Sequence, residues 1–128
     1  MSEVVLDASA LLALLNREPG HEEVARSITQ AAVGAINLSE VVTKLSESGM
    51  PEEAIREALE GLALEVHTFG RDLAYEAGLL RTATKPKGLS LGDRACLALG
   101  RHLSLPVLTT DRVWEGLDVG VEVRLLRS

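Results

Sequence analysis

Apolar positions along the chain fall into two alternating rhythms: short contiguous runs, and longer stretches that repeat at helical spacing. Val4, Val5 and Leu6 form a short run ending at Asp7, and residues 10–15 then supply helix formers before Pro19 and Gly20 break the chain. Over residues 21–30, Val24, Ala25 and Ile28 recur at helical spacing, with Glu22 and Glu23 in the first turn, where the helix dipole favours negative charge. Residues 32–36 have strand length, after which Leu38, Val41, Val42 and Leu45 mark one helical face as far as Gly49. Pro51 opens a further helix whose stripe is Ala54, Ile55, Ala58, Leu59 and Leu62, and residues 64–69 read as a strand. The pattern continues with a helix over 71–83, an exposed basic loop over 84–88, an apolar helix over 91–103 and strands at 106–108 and 121–125.

Strands alternating with helices predict a parallel sheet joined by right-handed crossovers, with helices on both faces. The expected fold is therefore a three-layer α/β/α sandwich with a sheet of about five strands. A length of 128 residues suits one domain spanning 1–128, without internal repeat or linker.

Composition narrows the function classes. The 46% hydrophobic and 25% charged residues argue against disorder, collagen-like repeats and coiled coils. The core must be aliphatic, because Phe69, Tyr75 and Trp114 are the only aromatics. Base-stacking platforms are thus disfavoured, and Trp114 reads as a core or interface residue. Thirteen basic and nineteen acidic side chains leave a net charge of −6, which opposes nonspecific attraction to nucleic acid. Cys96 is alone in an apolar run, so no intramolecular disulfide forms and a reducing compartment, the cytoplasm, is expected. No basic leader and no apolar run of membrane length is visible, so neither secretion nor membrane insertion is expected.

Four acids stand out against this background. In a parallel sheet every strand ends on one edge, which gathers Asp7 after the first strand, Asp111 after the fourth, and Glu40 in the first turn of the helix after the second. Asp93 opens the helix leading into the fourth strand, on the side of Cys96, Leu97 and Gly100 and away from Arg94 and Arg101. Helix capping offers a second explanation. Asn37-x-x-Glu40 and Ser90-x-x-Asp93 both fit a capping box, and Asp7 or Asp111 suits an N-cap. Glu40 in particular lies opposite the apolar face of its helix, beside Lys44 and Glu47, and the residues alone leave both readings open.

Capping gives no reason for four acids to cluster, whereas a hard cation requires several oxygen ligands together. Bound Mg²⁺ or Mn²⁺ would relieve the mutual repulsion and suit hydrolytic phosphoryl chemistry. Local positive charge would also let an acidic protein approach nucleic acid, with Arg17, Arg81, Lys85, Lys87, Arg94 and Arg112 as candidate phosphate contacts. A receiver-type phosphoacceptor should carry paired acids near its first strand and a Lys near its last, and a haloacid-dehalogenase phosphatase should carry Asp-x-Asp where this chain has Asp7-Ala8-Ser9. A noncatalytic binding module on the same fold remains open.

The motifs Val5-Leu6-Asp7-Ala8-Ser9-Ala10-Leu11, Leu38-Ser39-Glu40-Val41, Leu91-Gly92-Asp93-Arg94-Ala95 and Leu108-Thr109-Thr110-Asp111-Arg112-Val113-Trp114 together resemble the PIN-domain family. The likeness is to the VapC-type ribonuclease toxins of toxin–antitoxin pairs, and it spans essentially the whole chain. It implies a metal-dependent endoribonuclease in which Asp7, Glu40, Asp93 and Asp111 hold one or two Mg²⁺ or Mn²⁺ ions. Ser9 and Thr109 become polar groups that orient the carboxylates or a phosphate, although Ser9 equally suits a helix cap. The resemblance further implies an RNA substrate, a homodimer and an antitoxin protein that blocks the site.

Overall fold

The computed structural model describes residues 1–126. Strands β1 (Val4–Leu6), β2 (Ala31–Gly34), β3 (Glu65–His67), β4 (Val107–Thr109) and β5 (Val123–Leu125) pair in parallel in the order β3-β2-β1-β4-β5. Leu6 of the central strand lies opposite Val33 on one side and Leu108 on the other.

Side chains alternate across this sheet, and both faces are covered. Val4, Leu6, Ala31, Val33 and Leu108 pack against Leu11, Val24, Val41, Leu45 and Ile55. These belong to α1 (Ala8–Asn16), α2 (His21–Ser27), α3 (Ala35–Glu47) and α4 (Glu52–Glu60). Val5, Ala32 and Val107 point the other way, onto Ala77, Cys96, Leu97, Leu99 and Trp114. That layer holds α5 (Arg71–Leu79), the short α6 (Arg81–Thr84) and α7 (Leu91–Leu103). The result is the expected three-layer sandwich, and Trp114 is fully buried in it. Among the described residues no helix is long and apolar enough to cross a membrane.

Several boundaries differ from the sequence reading, each for a local reason. The run 32–36 splits, because β2 stops at Gly34, which is extended (φ −78°, ψ 152°) and caps α3, so Ile36 is helical. A short apolar run does not fix where a strand hands over to a helix. Glu40 consequently sits in the second turn of α3, and Asn37-x-x-Glu40 lies inside the helix and is not its capping box. The helix expected over 71–83 breaks at Leu80, whose carbonyl accepts the Thr84 hydroxyl at 2.8 Å, a back-bond that bends helices. Thr84 is therefore buried, and Lys85–Lys87 forms a 3₁₀ turn rather than open loop. The segment 21–30 likewise ends as a helix at Ser27 and tightens into a 3₁₀ turn over Ile28–Gln30.

Candidate active site

The chain lays β2 and β3 on one side of β1, and β4 and β5 on the other, so the sheet reverses its winding between β1 and β4. Open α/β sheets form a crevice outside the strand ends at such a point. Asp7 directly follows β1 and Asp111 lies two residues beyond β4, the two strands that flank this switch point.

Asp7 is 5% exposed and caps α1. Its Oδ1 accepts the Ala10 amide at 2.8 Å and the Ser9 hydroxyl at 2.7 Å, while its Oδ2 accepts the Thr109 hydroxyl at 2.6 Å. A carboxylate offers four lone-pair positions, so one remains, on Oδ2. Burial raises the Asp7 carboxyl from 3.8 to about 6 against these three donors, and the neighbouring charge of Asp93 adds to the rise.

Thr109 connects the two strands. Besides donating to Asp7, its oxygen accepts the Asp111 amide at 3.0 Å, and the Ser9 oxygen accepts the Thr110 amide at 2.9 Å. Both hydroxyl protons are thus committed to Asp7, and the 3.3 Å approach of Ser9 to Thr109 is a contact between two acceptors. Asp111 caps a 3₁₀ turn over Arg112–Trp114 by accepting the Val113 amide at 2.9 Å.

Asp93 and Ser90 form the expected capping box at the start of α7. The Asp93 amide donates to Ser90 Oγ at 3.1 Å, and the Ser90 amide to Asp93 Oδ2 at 3.0 Å. Glu40 reaches the same turn from α3. Its carboxylate lies over Gly92, where an added Cβ would come within 3.0 Å of all three carboxylate atoms. The capping reading is therefore right for Asp7, Asp93 and Asp111; Asp93 stands near enough to Asp7 to act on its charge, while the Asp111 carboxylate turns back onto the Val113 amide.

Three of the four acids, Asp7, Asp93 and Glu40, stand near the buried Cys96. Burial raises its thiol well above the ordinary range, and the charges of Asp7, Asp93 and Glu40 raise it further. Among the described residues none of the four acids forms an ion pair with Lys, Arg or His. Of the candidate phosphate contacts, Arg94 turns inward, donating from Nη1 to the Ala77 carbonyl at 2.9 Å, and Lys87 bonds the Glu115 carbonyl at 3.0 Å. Arg112 lines an open cleft of about 380 Å³ with Thr110, Glu18, Pro19 and Leu126, beside Asp111.

The family model of the PIN domain matches residues 4–119, nearly the whole chain. The chain belongs to the PIN-domain family. No curated protein matches it by sequence. Its fold is similar to solved toxin–antitoxin structures. DNA-bound VapBC from Salmonella typhimurium has a TM-score of 0.75 at 20% identity, covering 97% of this chain and 98% of that one. DNA-bound VapBC2 from Rickettsia felis has a TM-score of 0.75 at 17% identity, covering 94% and 96%. VapBC-5 from Mycobacterium tuberculosis has a TM-score of 0.63 at 22% identity, covering the full length of both.

Among the described residues the four acids of this PIN domain have no cationic side chain to neutralise them, and carboxylate oxygens are the donors a hard divalent cation takes. Among the described residues no three acids stand close enough to enclose an ion by themselves. Mg²⁺ does not require that, since it keeps several waters and takes one or two carboxylates together with substrate oxygens. The sequence reading missed Asn37 as anything but a cap, and overlooked Gly92 within Leu91-Gly92-Asp93. An Asn in a helix interior, three residues before an acid, is the signal that was available.

Proposed function

We propose that this PIN domain, a single domain over 1–128, is a metal-dependent endoribonuclease of the VapC type, the toxin of a toxin–antitoxin pair. The observation that carries the reading is Asp7: a buried carboxylate at the sheet's switch point, raised to about 6 by burial and by Asp93, with no cationic partner among the described residues. Such a group is destabilised as an anion until a cation arrives.

In this reading Asp7, Glu40, Asp93 and Asp111 hold one or two Mg²⁺ or Mn²⁺ ions. The metal supplies an activated water and stabilises charge on the phosphodiester. Ser9 and Thr109 bond both oxygens of Asp7 and so fix its orientation. The capping box fixes Asp93 in the same way. Arg112, exposed at the mouth of the adjoining cleft, suits an RNA phosphate and offsets the acidity of the chain locally. Arg17, Arg81 and Lys85, exposed on the surface, are further candidates. The partners in this reading are an RNA substrate, an antitoxin protein and a second copy of the chain, and the compartment is the cytoplasm.

The test uses the protein purified free of any partner, incubated with total cellular RNA. Cleavage is expected with Mg²⁺ or Mn²⁺, and none with EDTA or in Asp7→Ala. RNA binding without cleavage in either metal overturns the enzymatic reading in favour of a binding module, and cleavage that persists in Asp7→Ala overturns the site.

A further inference from the structure

Asn37 is 2% exposed, inside α3, one turn before Glu40. Asn is a poor residue for a helix interior, because its side chain competes for backbone bonds. Here the side chain bridges its own helix to α7. Nδ2 carries two protons and spends both: one on Glu40 Oε1 at 3.0 Å, the other on the Gly92 carbonyl at 3.0 Å in the first turn of α7. Reversing the amide would forfeit both bonds, which fixes its orientation. Its Oδ1 is buried without a protein partner, above Gly34, where an added Cβ would stand 3.3 Å away. An unsatisfied buried acceptor costs stability, which the two bonds from Nδ2 offset.

Gly92 completes the arrangement from the other helix. A Cβ there would stand 2.2 Å from Glu40 Oε2 and 2.8 Å from Oε1, so only glycine leaves room for the carboxylate at the opening of α7. Asp93 is the next residue. The Glu40 carboxylate is thus confined between the Asn37 amide and the Gly92 backbone, beside Asp93.

We propose that Asn37 is a positioning residue that, with Gly92, clamps the Glu40 carboxylate against the first turn of α7 and thereby completes the metal-binding acids. The proposal rests on the reading of Glu40 as one of those acids. Groups that orient metal-binding side chains typically contribute 10- to 100-fold in metal affinity.

The test is Mn²⁺ binding to the whole RNA-free chain by calorimetry, with the metal-free melting temperature read in parallel. Asn37→Ala is expected to weaken Mn²⁺ binding about 10-fold or more. Gly92→Ala is the second variant, and displaces only the far end of a flexible side chain, so it is expected to keep the wild-type melting temperature and still lose affinity. In the Glu40→Ala background, Asn37→Ala is expected to add no further loss. Wild-type affinity in both Asn37→Ala and Gly92→Ala, with affinity lost in Glu40→Ala, overturns the clamp and leaves the proposed function standing. Losses that simply add in the double variant also overturn it, because Asn37 then acts apart from Glu40. Wild-type affinity in Glu40→Ala overturns the role of Glu40 and the clamp with it.

Discussion

The Thr109 hydroxyl donates to Asp7 Oδ2 at 2.6 Å across the junction of β1 and β4, and its oxygen accepts the Asp111 amide at 3.0 Å. One fully buried hydroxyl thereby ties together two acids separated by most of the chain.

Thr109→Val keeps the shape of the side chain and removes this tie. It leaves the Asp111 amide without its acceptor and takes from Asp7 the strongest bond that lowers its carboxyl. Hydrogen bonds to charged groups contribute about 1.5–3 kcal/mol, so the variant is expected to lose roughly that much stability at pH 8. Thr109→Ser, which retains the hydroxyl, should lose much less. Urea unfolding of the two variants checks this, and equal losses would show that the methyl rather than the hydroxyl matters.

Asp7 itself sets a pH dependence. Its carboxyl titrates at about 6 in the fold against an ordinary 3.8, so between these values the folded chain holds a proton that the unfolded chain has released. Unfolding then sheds a proton, and the Asp7 contribution to stability falls as pH rises from about 4 through 6 and stays low above. The difference corresponds to ~3 kcal/mol at about 1.36 kcal/mol per pH unit. Asp7→Asn, which cannot ionise, should lack this fall. Metal-free urea melts of both proteins at pH 4.5 and pH 8 measure it, and parallel pH profiles would remove the assignment.

The architecture was legible because each strand is a contiguous apolar run and each long helix carries a clear stripe. Asp7 and Asp111 could be placed together because sheet topology alone puts them at one edge. Asp93 could be placed by periodicity, and its capping box by the Ser90 spacing. Glu40 could be brought to that edge but not to its turn of the helix, which depends on where β2 yields to α3, and the run through Ile36 does not mark that boundary. The partner that explains it, Gly92, lies on a helix that approaches only in the folded molecule. The bond of Arg94, a candidate phosphate contact, was hidden for a related reason: packing of α5 on α7 brings its guanidinium to the Ala77 carbonyl.

Divalent metal should reverse the repulsion at the site. Mg²⁺ or Mn²⁺ is expected to raise the melting temperature of the wild type, since a ligand held only by the folded state stabilises it. Asp93→Asn should abolish that response. The same change should stabilise the metal-free protein slightly, because it removes the negative charge that adds to the rise at Asp7, while the amide oxygen can still accept the Ser90 amide. Thermal melts with and without metal decide it; an unchanged metal response in Asp93→Asn removes Asp93 from the site.

Ser90 separates the two duties of Asp93. Ser90→Ala removes the acceptor of the Asp93 amide and opens one side of the capping box, which should cost about 1 kcal/mol of stability. If capping were the whole role of the pair, metal affinity would stay at the wild-type value. If the box also holds the Asp93 carboxylate in place for a cation, the variant should lose Mn²⁺ affinity as well, and Ser90→Thr, which keeps the hydroxyl, should restore both. Calorimetric Mn²⁺ titration beside urea unfolding of Ser90→Ala and Ser90→Thr measures the two effects independently, and a stability loss with unaltered affinity would confine Ser90 to the helix end.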